Sequence, residues 1–135
     1  MTVAIENDPL TERIIGFAIE IHRQLGPGLL ESVYEECLCH ELKLAGIAFA
    51  RQVTVPVVYK SIRLDCAYRL DLVIENHLIV EVKSVERLMP IHEAQLITYL
   101  RLIGARVGLL LNFNTDVLKN GIRRLENPHR LTASS

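Results

Sequence analysis

Residues 69–83 read Arg-Leu-Asp-Leu-Val-Ile-Glu-Asn-His-Leu-Ile-Val-Glu-Val-Lys, two β-rich runs around a short polar break. The second run, Leu78 to Lys83, is apolar on both faces except for Glu81 and Lys83. That is the pattern of a central strand covered on both sides. Glu81 and Lys83 lie two apart, so their side chains leave the same face. Charges in such a place need partners, and the loop length decides whether Asp71 is one. A two-residue loop turns Asp71 to the other face of the sheet. A three-residue loop, Glu75-Asn76-His77, sets Ile74 against Leu78, Asp71 opposite Glu81 and Arg69 opposite Lys83. The three-residue register is the one expected.

Upstream, the text from Phe49 to Ile74 is β-rich: Val53, Val55, Val57, Val58 and Tyr59, a turn near Lys60-Ser61, then a strand from Leu64 to Ile74. Pro56 marks the first run as an edge strand. Two helices precede it. Asp8 is the N-cap and Pro9 the first residue of one in which Leu10, Ile14, Phe17, Ala18, Ile21 and Leu25 recur at helical spacing, ended by Gly26-Pro27-Gly28. The second runs from about Leu29 to Ala45, with Leu30, Val33, Tyr34, Cys37, Leu38, Glu41 and Leu42 on one face and Gly46 as its stop.

Downstream, Pro90 to Ile103 is a helix with Ala94, Leu96, Ile97, Leu100 and Ile103 as its apolar face, and Arg106 to Phe113 is a buried strand. A short helical turn at Asp116 to Lys119 and a last strand at Ile122 to Leu125 follow. The core order ααβββαβ, with a helix crossing between two strands, predicts an α/β sandwich around a central mixed β-sheet. One domain over 1–135 is expected, ordered from about 8 to 127 and frayed from 128 onward.

Half of the 135 residues are apolar, enough for one packed core. The longest apolar runs, such as Val107 to Leu111, fall far short of the roughly 18 residues of a membrane span. The N-terminus carries no basic and apolar export signal, so a soluble, cytoplasmic protein is expected. Cys37, Cys39 and Cys66 are odd in number and form no CxxC pair, which argues against a disulfide framework and a zinc site. His22, His40, His77 and His129 likewise show no ligand spacing. Fifteen Lys and Arg against sixteen Asp and Glu leave no overall positive field, so any contact with nucleic acid is local. The basic residues Lys119, Arg123, Arg124 and Arg130 read as a solvated face.

Two carboxylates about 4 Å apart repel by roughly 4 kcal/mol at an effective dielectric of 20, so an Asp71–Glu81 pair calls for a proton or a cation. Lys83 supplies one charge. Mg²⁺ supplies more, since it takes one or two carboxylates, keeps several waters and engages substrate phosphates. In that arrangement a phosphate ester is polarised for hydrolysis, and Lys83 orients the attacking water or steadies negative charge. The alternative is a buried Asp/Glu/Lys salt-bridge cluster with no chemistry.

Asp71, followed after nine residues by Glu81-Val82-Lys83, resembles the D-x(n)-E-x-K signature of the PD-(D/E)xK nuclease superfamily, with Leu70 where the motif has proline. Gln95-Leu-Ile-Thr-Tyr99 is similar to the Q-x-x-x-Y element of its RecB-like and lambda-exonuclease-like branch. Gly28-Leu-Leu-Glu31-Ser-Val-Tyr34 resembles the motif that names the GxxExxY proteins, a small family within it. The text around Ile21 to Glu36 and from His92 to Leu102 is similar too, and the resemblance runs from about Leu10 to Asn127.

The resemblance implies a restriction-endonuclease-like fold and hydrolysis of phosphodiesters, in DNA rather than RNA, with Mg²⁺ or Mn²⁺. It implies that Asp71, Glu81, Lys83 and Glu31 are catalytic, and that Glu31, Asp71, Glu81 and the Val82 carbonyl hold the metal. Gln95, Tyr99, His92 and Tyr34 would meet the substrate. Simpler readings stand beside these: Tyr34 and Tyr99 as core aromatics, Glu31 as a first-turn acid favoured by the helix dipole, and Gln95 as a backbone cap. A nuclease-fold module that binds nucleic acid or a protein without turnover is the rival function. A homodimer would double the small binding surface.

Overall fold

The computed structural model describes residues 8–64 and 68–128; Cys66, His129, Arg130 and the tail from 129 lie outside the described residues. Helix α1 (Pro9–Leu25) begins where its sequence places it, because the Asp8 carboxylate accepts hydrogen bonds from the Leu10 N–H at 3.1 Å and the Thr11 hydroxyl at 2.9 Å. Helix α2 (Glu31–Ala45) stops at Gly46, which takes the left-handed conformation at φ 70°. Its buried face keeps Tyr34, Leu38 and Leu42 of the face counted from Leu30 but adds Glu35 and Cys39 in place of Leu30 and Val33. Leu30 is the extended cap before the helix, and it is 74% exposed, with Val33 exposed as well. A count begun outside the helix therefore rotated the face and missed Glu35.

The β-rich text divides more finely than expected. β1 (Phe49–Thr54) is an edge strand of a five-stranded sheet. Pro56 falls in the gap before β2 (Val57–Tyr59), which pairs only with β3 (Ile62–Leu64). The turn of this small ribbon has Lys60 at φ 47° and Ser61 at φ 70°, the backbone a tight hairpin needs. The expected strand from Leu64 to Ile74 is β4 (Arg69–Ile74), with Leu64 closing β3 instead.

β5 (Leu78–Lys83) pairs with β4 in the three-residue-loop register, Ile74↔Leu78, Val73↔Ile79 and Leu72↔Val80. Helix α3 (Pro90–Ile103) then crosses to β6 (Val107–Asn112), which runs parallel to β5. A 3-10 turn (Leu118–Gly121), two residues later than expected, leads into the antiparallel β7 (Ile122–Glu126). The result is the expected restriction-endonuclease-like sandwich, a mixed sheet flanked by helices, with the β2–β3 ribbon and β7 added to its core order.

Two apolar clusters hold the layers. On one face Ile14, Ala18 and Ile21 of α1 and Tyr34, Leu38 and Leu42 of α2 pack on Leu72, Ile74, Val80 and Val82. On the other, Leu96, Tyr99 and Leu100 of α3 pack on Leu70, Val73, Ile79 and Leu110. By strand alternation Glu81 and Lys83 share the face of Ile79, so α3 is the helix above them.

Gly108 sets how close that helix comes, since a Cβ there would lie 2.8 Å from Leu96 Cγ. Leu96 is fully buried and has nowhere to retreat. Gly108→Ala is therefore expected to cost about 1–3 kcal/mol by overpacking. A urea midpoint that falls accordingly checks it, and an unchanged midpoint refutes the close fit.

Candidate active site

The β4–β5 ladder ends at Leu72↔Val80, one pair short of Asp71 and Glu81. There the carboxylates take over from the backbone. The Asp71 N–H donates to Glu81 Oε2 at 2.8 Å, and the Val82 N–H donates to Asp71 Oδ2 at 2.8 Å. Each acid thus holds the other's strand, which places Asp71 opposite Glu81 as the loop length predicted. Arg69 is not brought to Lys83 by this ladder; it pairs with Thr54 on β1.

The side-chain alternation of β4 slips at the same point. Leu70 packs with the α3 cluster, whereas Leu72 packs with the α1–α2 cluster, although residues two apart on a regular strand share a face. Asp71 sits at the slip, where Glu35 and Glu31 of α2 and Lys83 of β5 all act on its charge. The N–H and carbonyl of a strand residue face the same neighbour. The Val82 carbonyl is therefore directed to the Asp71 side of β5, like its N–H.

The electrostatics follow from burial. Glu81 is 7% exposed, and burial first, then repulsion from Asp71, pushes its carboxyl up to about 7. Burial likewise raises Asp71, against the lowering effect of the Val82 N–H. Lys83 favours the charged form of both acids but forms no ion pair with either among the described residues. Glu81 Oε1 has no hydrogen bond among the described residues, and Asp71 Oδ1 has only a 3.5 Å contact from Gln52 Nε2. Two carboxylate oxygens without a short hydrogen bond and a nearby backbone carbonyl are an all-oxygen donor set of the kind a divalent cation takes, since such an ion can need only one or two carboxylates from protein.

Glu31 arrives beside this pair, at the start of α2, but its Oε2 accepts the Ser84 N–H at 3.2 Å. The Ser84 hydroxyl donates to the Leu29 carbonyl at 2.7 Å, tying the helix start to the end of β5. Among the described residues, no three acids, imidazoles or thiols stand together in metal-ligand geometry. Asn112, beside Lys83 on β6, secures the following segment: its Oδ1 accepts the Val85 N–H and its Nδ2 donates to the Val85 carbonyl, both at 3.0 Å.

Tyr99 of α3 is buried beside Glu81, whose charge adds to burial in raising its phenol. Tyr68, an exposed ring 5.7 Å from that of Tyr99, was not singled out in the sequence. Gln95, one turn before Tyr99 and half-buried, makes no hydrogen bond among the described residues.

Tyr34 follows the core-aromatic alternative rather than meeting substrate, and His92 keeps one ring nitrogen for it. His92 Nδ1 accepts the Met89 N–H at 2.8 Å and so caps α3, leaving only Nε2 for a phosphate. Tyr34 is fully buried and stacked on Phe113 at 4.3 Å, so it offers a substrate no surface. Its hydroxyl donates to the Gly26 carbonyl at 2.5 Å and accepts the Leu29 N–H at 3.1 Å, closing the glycine loop that delivers Glu31. Tyr34→Phe is expected to lose about 1–2 kcal/mol of stability, measured by urea unfolding. No loss would show that the loop closes without the hydroxyl.

The family model of the PD-(D/E)XK nuclease superfamily matches residues 8–125, nearly all of the described chain, and the protein belongs to that superfamily. Its nucleases generally use divalent metals and act on nucleic acid. Neither a curated protein nor a solved structure matches the chain. No helix among the described residues is long and apolar enough to cross a membrane.

Proposed function

We propose that the protein is a Mg²⁺- or Mn²⁺-dependent nuclease that hydrolyses phosphodiester bonds in DNA, with Asp71, Glu81 and Lys83 at its centre. The observation that carries this reading is the exchange of carboxylates across the end of the β4–β5 ladder. It holds two acids together with oxygens to spare, and leaves the nearby lysine unpaired with them. A salt-bridge scaffold would have closed Lys83 onto one of them.

Asp71 Oδ1, Glu81 Oε1 and the Val82 carbonyl would hold the ion, and Glu31 would join by giving up the Ser84 N–H. Bound there, the ion would supply positive charge to polarise a scissile phosphate. Lys83 Nζ donates hydrogen bonds to the attacking water or to a phosphate oxygen and so steadies the charge that grows during attack. Gln95, with the buried Tyr99 one turn behind it, would line the path of the strand. DNA is favoured by the resemblance of Gln95-to-Tyr99 to recombination exonucleases, and Gly28-x-x-Glu31-x-x-Tyr34 supports a place among the GxxExxY proteins. Cys37 and Cys39, free thiols among the described residues, suit a reducing, cytoplasmic setting.

A second reading, a nuclease-fold module that binds nucleic acid without turnover, is favoured by the hold of Ser84 on Glu31. Single- and double-stranded DNA and RNA incubated with the purified protein and Mg²⁺ or Mn²⁺ separate the two. DNA cleavage that EDTA stops and Asp71→Asn abolishes is the expected result. Binding without cleavage selects the second reading, and cleavage surviving both Asp71→Asn and Lys83→Ala rules out this centre.

A further inference from the structure

Glu35 is a further acid beside the centre, 6% exposed, and it acts on the charge of both Asp71 and Glu81. Two consecutive residues of β1 converge on it. Arg51 Nε donates to Glu35 Oε2 at 2.6 Å, and Gln52 Nε2 lies 3.2 Å from Oε1 and 3.1 Å from Oε2. Consecutive side chains of a regular strand point to opposite faces, so this convergence demands a break in the strand. Gln52 provides it with a left-handed backbone, φ 54°, in the middle of β1. A residue other than glycine held in that region marks a place where the surroundings impose the conformation.

The imposed conformation has a product. Between the register pairs Arg51↔Leu72 and Val53↔Leu70, Gln52 stands opposite Asp71, and its amide reaches Asp71 Oδ1 at 3.5 Å while remaining on Glu35. An amide nitrogen carries two donors, so one Gln52 side chain serves two carboxylates. Asp71 thus has a neighbour on each side, the Val82 N–H on Oδ2 at 2.8 Å and the longer Gln52 contact on Oδ1 at 3.5 Å. Arg51 meanwhile spans Glu35 and Glu36, the latter at 2.7 Å, and keeps Glu35 occupied away from the pair.

We propose that Gln52 is a positioning residue for the metal-binding carboxylates: its strained backbone and bridging amide aim Asp71 at the ion and hold Glu35 back. This rests on the metal-dependent reading of the same site. Residues that orient a metal ligand are worth about 10- to 100-fold in metal affinity.

The test is a calorimetric titration of the metal-free protein with Mn²⁺, paired with thermal unfolding. Gln52→Asn keeps a residue that tolerates the left-handed region but is one methylene too short, and Gln52→Gly removes both the amide and the strain. Both variants are expected to bind Mn²⁺ about 10-fold or more weakly. Gln52→Gly should at the same time unfold at or above the wild-type temperature, which separates lost aim from lost fold. Wild-type affinity in both variants, with Mn²⁺ bound by the wild type, overturns the role of Gln52 and leaves the metal site standing. Loss of affinity accompanied by an equal loss of fold in both variants also overturns it. A wild type that takes up no Mn²⁺ overturns both the site reading and this role.

Discussion

Lys83→Ala is expected to slow cleavage by about 10²–10³-fold, the cost of removing one donor from a developing negative charge. Lys83 shares the sheet face of Glu81, lies half-buried at the end of β5, and has no ion pair with either acid among the described residues. Its ammonium is therefore available to a substrate oxygen or a water. Because it is not an oxygen donor, Mn²⁺ affinity should change little or rise slightly in the variant, while the rate collapses. Single-turnover cleavage at saturating metal reads the first effect and calorimetry the second. A variant that keeps its rate, or that loses metal and rate together, would show that Lys83 does not steady the developing charge.

Glu81→Gln should have the second largest effect, in the opposite direction, on the metal-free protein. Glu81 has its carboxyl raised from 4.5 to about 7 in the folded state. The folded protein holds that proton more tightly than the unfolded chain, so the stability it contributes is complete below pH 4.5. It is lost as pH rises through about 7. Every tenfold gain in proton affinity corresponds to about 1.4 kcal/mol, so the ionised Glu81 burdens the metal-free fold by about 3 kcal/mol at pH 8. Asp71 is raised as well and adds to the same trend.

Glutamine keeps an oxygen for the Asp71 N–H and carries no charge. The variant should therefore be more stable than wild type by up to about 3 kcal/mol at pH 8 and close to it below pH 4.5. Adding Mg²⁺ should narrow the gap by stabilising the wild type alone. Urea unfolding with and without EDTA at the two pH values provides the comparison. A variant several kcal/mol less stable at pH 8 would mean that Lys83 has lost a buried partner, as in a salt-bridge cluster.

The sequence made the central strands legible for a physical reason. Glu81 and Lys83 interrupt an otherwise apolar strand, and a three-residue loop leaves one register for Asp71, which the ladder from Ile74↔Leu78 follows. The start of α1 and the ends of α1 and α2 were equally readable, since Asp8, Pro9, Gly26 and Gly46 act through local backbone chemistry, whereas the start of α2, expected at about Leu29, lies at Glu31. What lay hidden depends on contacts distant in sequence. Pro56 separates two strands that join different sheets, and nothing local says where Val57 to Tyr59 will pair.

The substrate role of Tyr34 was misjudged because a motif records a residue without recording which way it faces. Tyr34 faces the core and Phe113, 79 residues away. Glu35 and Gln52 were invisible for another reason: the positive φ that turns Gln52 toward Glu35 has no glycine or asparagine to announce it. Glu35 did leave one trace, its place one turn after Glu31, which a helix counted from Glu31 would have shown.

If the proposed centre is correct, Asp71 and Glu81 share a divalent ion. Anomalous diffraction from a crystal soaked in Mn²⁺ tests it most directly. A peak bonded to both carboxylates, and absent from Asp71→Asn crystals, is the expected result. Full Mn²⁺ with no peak between them, and Lys83 Nζ closed onto either acid, would contradict it.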